Sequence, residues 1–161
     1  MKLLDEWHIG YQRFDHPAVF TCEQAAIHLK GVPGAGTKNL FLVSEKQIEP
    51  CLLMVDEAKR VDINRLGKQL GLGKLRFGSP EKMEIYLGVE PGSVTVLAII
   101  NDMDRRVRLL IDRDLWQKEK VQCHPLVNTA TLVISIGDLQ TFFDGINHTF
   151  ELVEIPTRET A

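Results

Sequence analysis

The sequence predicts an α+β fold built on a mostly antiparallel sheet. Apolar, β-compatible runs recur along the chain: NLFLV, CLLMV, SVTVLAII, RVRLLID, TATLVISI and FELVEI. Several are joined by turn-length segments, where parallel crossovers would need a dozen residues or more. Helix-start signals fall between the runs without a regular strand–helix alternation.

Each element has a local reason. Thr21-Cys22-Glu23-Gln24 has the spacing of a capping box, so a short helix is expected to about Leu29, stopped by Gly31 and Pro33. NLFLV and CLLMV (51–55) form a hairpin around the segment from Ser44 to Pro50. Asp62 caps a helix with Ile63, Leu66 and Leu70 on one face, ended by Gly71 and Gly73. LRF (75–77) is a short strand. Ser79-Pro80 opens a helix through Leu87, with proline at the first helical position. SVTVLAII (93–100) and RVRLLID (106–112) are expected to pair as a hairpin through Asn101-Asp102-Met103-Asp104. KVQCHP (120–125) and TATLVISI (129–136) are further strands, Asp138 is expected to cap the helix LQTFFDG, and FELVEI supplies the last strand. With no repeat, linker or low-complexity tract, residues 1–161 read as a single domain with a frayed PTRETA end.

Composition narrows the class. The chain is 44% apolar and 25% charged, enough to bury a core without disulfides or metals. Cys22, Cys51 and Cys123 are odd in number and widely spaced, which suggests neither a disulfide framework nor a zinc site and favours a reducing compartment. No run is long enough to span a membrane, and MKLLDEWHIG lacks a signal-peptide core, so a cytoplasmic protein is expected. At a net charge of −3, any RNA partner must meet a local basic patch. Arg105, Arg106 and Arg108 are candidates for one, or simply a solvated face.

GVPGAGTK (31–38) looks like a phosphate-binding loop but fails the test. Gly31 and Gly36 have the spacing, yet Thr37-Lys38 is in reversed order, and the loop opens a strand rather than a helix whose N-terminus could hold phosphate. Lys38 is then either a solvated strand-edge lysine or a point charge projecting into a cleft. PGSV (91–94) is either a tight turn with Gly92 at a positive-φ position or a backbone N–H cradle for an oxyanion. Cys123-His124-Pro125, followed by Asn128-Thr129, is a second polar cluster. Adjacent strand residues point to opposite faces, which disfavours a Cys123–His124 thiolate dyad while leaving either residue able to line a pocket. His8, His16, His28 and His148 share no metal-ligand spacing and read as surface or capping residues.

Taken in order, DHPAVFTCEQA, GAGTKNLFLV, LRFGSPEKM, LGVEPGSVTVLAIIND, CHPLVNTATL and NHTFELVEI resemble the YbaK/prolyl-tRNA-synthetase-associated editing domains, within them the free-standing prolyl-tRNA deacylases of the ProX type. The resemblance spans roughly residues 3–155. It implies a fold around an antiparallel sheet partly closed like a barrel. It also implies a trans-editing enzyme that hydrolyses the ester of mischarged tRNA(Pro), most typically Ala-tRNA(Pro). Carried over by position, it makes Lys38 the catalytic candidate. Gly92, Ser93, Val94, Asn101, Cys123, His124 and Asn128 become substrate-binding candidates. Val96, Gly36 and the Asn147-to-Phe150 segment depart from the family pattern and bear on substrate choice.

The implied reaction needs neither cofactor nor metal. Water attacks, assisted by the terminal ribose hydroxyl, and the protein supplies position and electrostatics. A pocket sized for alanine excludes proline sterically. Expected partners are mischarged tRNA(Pro) and prolyl-tRNA synthetase, with no membrane, and a monomer or weak homodimer. The competing readings are a Cys-tRNA(Pro) or other mischarged-tRNA deacylase, a non-catalytic tRNA- or synthetase-binding module, and a small-molecule ester or amide hydrolase.

Overall fold

The computed structural model describes residues 2–18, 27, 30–46, 49–91, 93–126 and 129–158. In chain order the elements are α1 (Lys2–Glu6), β1 (Tyr11–Asp15), β2 (Thr37–Ser44), β3 (Cys51–Asp56), α2 (Ile63–Gln69), β4 (Leu75–Phe77) and α3 (Pro80–Leu87). A 3₁₀ helix (Val96–Asn101) follows, then β5 (Arg108–Asp112), a 3₁₀ turn (Leu115–Gln117), β6 (Lys120–Cys123), β7 (Ala130–Ser135), α4 (Ile136–Gly145) and β8 (Glu151–Val153). The expected helix over 21–29 lies, apart from Ile27, outside the described residues.

Two sheets form. One has the order β1-β7-β6 and is wholly antiparallel. The other has the order β4-β2-β3-β5-β8, with antiparallel pairs around β2 and parallel pairs joining β5 to β3 and β8. They are not closed into a barrel; they meet at one corner. There Ala35 bridges Val121 in parallel, Ala35 N–H donates to Lys120 O and Gln122 N–H donates to Ala35 O, both at 2.9 Å.

Cores lie on both faces of the five-stranded sheet. On the inner face Phe41, Leu52, Met54, Leu109 and Ile111 pack with the 3₁₀ helix, α4 and the inward residues Val121, Cys123, Leu132 and Ile134 of the other sheet. On the outer face Leu42, Leu53, Val55 and Leu110 pack with Leu66 of α2.

Local chemistry placed several elements correctly. The Asp62 carboxylate accepts from Arg65 N–H at the start of α2, and Ser79 Oγ accepts from Lys82 N–H at the start of α3. The β2–β3 hairpin closes at Leu42–Cys51 as expected. Three expectations are corrected. Residues 93–100 are no strand: Thr95 Oγ1 caps a 3₁₀ helix by accepting from Leu97 N–H, and Val96 to Ile99 are buried on every side. An all-apolar run lacks the alternation that separates strand from buried helix. β5 therefore has no hairpin partner there and pairs in parallel with β3. Second, α4 starts three residues early. Ser135 is its cap and Asp138 the third helical residue, with Ser135 Oγ accepting from Asp138 N–H and donating to Asp138 Oδ2. Third, α1 and β1 carry no strong sequence signal and were not anticipated.

Candidate functional site

The corner where the sheets meet sets the site. Paired residues of neighbouring strands share a face, and successive residues alternate. Ala35 and Val121 both pack on the inner core. One residue further, Gly36 and Gln122 turn outward, and the same parity carries Lys38 and His124 to the outer face. Leu40 and Leu42, of the same parity as Lys38, pack on the outer core.

The glycine loop lies across this corner. The side-chain amide of Gln122 donates toward the carbonyls of Val32, Pro33 and Gly34, at 3.2–3.3 Å. Gly34 has φ +91°, a conformation that L side chains rarely adopt, and it lies against Val133 and the backbone of β6. Thr37 Oγ1 donates to Gln122 O, tying the head of β2 to β6.

Lys38 opposes Val55 across the hairpin, and its ammonium donates to the carbonyl of Lys59. Glu57 stands beside it. Burial and the neighbouring Asp56 push the Glu57 carboxyl pKa up, and the Lys38 charge partly offsets this. Gly36 leaves room for that carboxylate, since a Cβ would sit 2.2 Å from it.

Burial pulls the pKa of half-buried His124 down; the bond to Ala130 O opposes the shift and the nearby His16 adds to it. Its Nδ1 lies 3.1 Å from the Ala130 carbonyl. A carbonyl only accepts, so Nδ1 carries the proton and the neutral ring presents Nε2 as an acceptor. His16 lies alongside, with Nε2 2.9 Å from Thr131 Oγ1 and Nδ1 2.8 Å from Pro17 O.

The remaining candidates separate. Cys123 has the opposite parity to His124, is 3% exposed and packs in the inner core; burial raises its thiol to about 12. It is a packing residue facing away from His124. Ser93 N–H donates to Glu90 O at 3.0 Å, so that N–H is not spare for an oxyanion. Val94 packs against the inner core. The Ser93–Val94 segment still approaches His124, because Thr95 Oγ1 donates to His124 O at 2.7 Å. Asn101 is placed at the end of α3, where its amide donates to Leu87 O and packs on Gly88. Gly92 and Asn128 lie outside the described residues.

The arginines are engaged: Arg105 Nε donates to Asn147 O, Arg106 stacks on Tyr86, and Arg108 pairs with Glu151. His148 is not a surface residue but is buried against Asp102, 3.1 Å away. Sequence reasoning missed Gln122, Thr131, Glu57 and the role of His16. Only His16 carried a signal, its place in DHPAVF. No group of three or more His, Cys, Asp or Glu side chains suited to a metal occurs among the described residues. No described helix is long and apolar enough to cross a membrane.

Comparisons with known proteins converge on one family. A family model described as the aminoacyl-tRNA editing domain matches residues 16–142. The prolyl-tRNA editing protein ProX of Acetoanaerobium sticklandii is 31% identical over 153 residues, covering 94% of this chain and 93% of that protein. The prolyl-tRNA synthetase associated domain-containing protein 1 of Bos taurus is 37% identical over 138 residues, covering 83% and 80%. A crystal structure of a candidate trans-editing enzyme for prolyl tRNA synthetase superposes with a TM-score of 0.66 at 19% identity, covering 97% and 92% of the two chains, and supports the fold.

Proposed function

Because this chain belongs to the aminoacyl-tRNA editing domain family, and so to a family of aminoacyl-tRNA hydrolases, we propose that it is a trans-editing deacylase acting on mischarged tRNA(Pro), with Ala-tRNA(Pro) as its substrate. What supports this reading is the strand parity that puts Lys38 of β2, and His124 just past the end of β6, on the outer side of their sheets where Ala35 bridges Val121. Together they offer a cation on β2 and a neutral acceptor just past the end of β6. The relatives' names support proline as the tRNA identity and prolyl-tRNA synthetase as the partner.

An aminoacyl ester is already activated, so hydrolysis calls for placement and charge stabilisation more than for a nucleophile. Lys38 has three ammonium donors, one of them given to Lys59 O. The others are suited to the 3′-terminal nucleotide or to negative charge developing on the ester oxygen. His124 Nε2 accepts a hydrogen bond from the substrate's amino group or from the attacking water. With Ser93 N–H committed to Glu90 O, the charge stabilisation assigned to the 92–94 backbone passes chiefly to Lys38. Bulk around the His124 ring would limit the side chain admitted and spare the proline ester.

Incubation of purified protein with Ala-, Cys- and Pro-tRNA(Pro) tests this. Ala-tRNA(Pro) should be deacylated and Pro-tRNA(Pro) spared, and Lys38→Ala should lower the rate about 10²–10³-fold, as for loss of one oxyanion donor. Faster release from Cys-tRNA(Pro) would reassign the substrate. Salt-sensitive tRNA binding without hydrolysis would make the chain a binding module.

A further inference from the structure

A buried ion pair lies on the same outer face as Lys38, two strands away. Asp112 ends β5, two strands from β2, and is 1% exposed. One carboxylate oxygen accepts from Lys59 Nζ at 2.9 Å and from Asp114 N–H at 3.0 Å; the other accepts from Asp56 N–H at 3.2 Å. Lys59 Nζ also donates to Asp114 Oδ2 at 2.7 Å. Burial opposes its charge, but the hydrogen bonds to Asp114 and Asp112 outweigh this and leave the Lys59 pKa raised. Meanwhile the backbone carbonyl of the same Lys59 holds the Lys38 ammonium.

The turn between is pinned at both ends. Lys59 N–H donates to Asp56 O, Ala58 N–H to Asp56 Oδ1, and Glu57 N–H to Gly36 O. Rotation of the 59–60 peptide would aim the Lys59 carbonyl away from Lys38. What opposes that rotation is the Lys59 side chain, anchored on a buried carboxylate whose other bonds fix it to β3 and β5. A surface ion pair could not do this, since exposed pairs contribute little and exchange freely. Loss of one partner of a buried, hydrogen-bonded pair leaves the other charge uncompensated and is expensive.

We propose that Lys59 and Asp112 are positioning residues that hold the 56–59 turn so that the Lys59 carbonyl orients the Lys38 ammonium on the outer face of β2. The inference rests on the assignment of Lys38 to the site. It does not depend on which ester is cleaved, and it can be read without catalysis.

The test uses Lys59→Met, which keeps the backbone carbonyl and removes the anchor, and Lys59→Arg, which can restore the pair. The first readout is the acetylation rate of Lys38 by an amine-reactive ester, followed by peptide mass spectrometry against Lys82 as internal reference. Lys59→Met should raise the relative Lys38 rate at least threefold, and Lys59→Arg should return it toward wild type. An unchanged rate in a folded Lys59→Met protein overturns the proposal. The second readout is a double-mutant cycle on Ala-tRNA(Pro) deacylation. Lys59→Met should lower kcat about tenfold in the wild-type background but less than twofold in Lys38→Ala. Equal losses in both backgrounds would mean a merely structural role and would also overturn it. If the wild-type protein hydrolyses no ester, the functional reading fails, while the labelling experiment still decides the positioning role.

Discussion

Asp102 is the sharpest place to test the fold, because one carboxylate replaces the hairpin that the sequence suggests. Its two oxygens accept from Arg106 N–H at 2.9 Å and Val107 N–H at 2.8 Å, and His148 Nε2 lies 3.1 Å from Oδ2. The group is 6% exposed, so water cannot substitute for it. Asp102→Ala leaves two backbone donors and a ring nitrogen without partners. Each buried orphan costs about 1–3 kcal/mol. Val107 N–H and the His148 ring nitrogen lose buried partners and Arg106 N–H a part-buried one, so a loss of about 4 kcal/mol is expected. For a domain of this size that corresponds to a fall in Tm of about 8–16 °C. Asp102→Asn keeps one acceptor oxygen and should lose about half as much. Thermal and urea unfolding followed by circular dichroism measure both. A Tm within 3 °C of wild type for Asp102→Ala would refute the account of the 102–107 turn. Deacylation per folded molecule at 25 °C should be unchanged, since the turn lies at the end of β5 remote from Lys38.

Other outcomes follow from the same reasoning. The depressed pKa of His124 means the unfolded chain binds its proton more readily, so this contribution is fully present above about pH 6.5 and is lost as pH falls through the folded value. Urea unfolding from pH 8 to 5 should show that slope in the wild type, and it should be shallower in His124→Gln. Gly67→Ala should destabilise despite alanine's better helix propensity, because a Cβ would lie 2.0 Å from Gly73 O; a cost of about 1–3 kcal/mol is expected by urea unfolding. Cys51 and Cys123, with thiols raised to about 11 and about 12 by burial, should resist thiol reagents at pH 8 until urea unfolds the chain, as site-resolved mass spectrometry would show.

What could be read in advance was whatever depends on near neighbours. The caps at Asp62 and Ser79, Pro80 at the first helical position and the β2–β3 hairpin all follow from contacts within about ten residues. The 96–101 segment was misread because burial on every side erases the periodic signal on which strand assignment rests. At the candidate site, Lys38 and His124 were singled out through the resemblance. That Cys123 turns away from His124 was foreshadowed by strand alternation. Gln122, Glu57 and Asp112 were not legible. Their roles come from pairings across 85 to 90 residues for Gln122 with the loop and 53 for Lys59 with Asp112, which no local pattern encodes.

The clasp of Gln122 on the glycine loop also sets when the site can exist. A chain growing from its N-terminus makes the loop and Lys38 early, yet the side chain that fastens the loop lies 88 residues beyond Gly34. Closing so long a segment comes after local hairpins and helices have formed. Until β6 has been made and laid beside β2, Lys38 has a strand, but the tie of Thr37 to Gln122 O at its head is missing. A nascent or truncated chain ending before β6 would therefore be silent toward charged tRNA, and acquisition of hydrolysis during refolding would mark the docking of the two sheets.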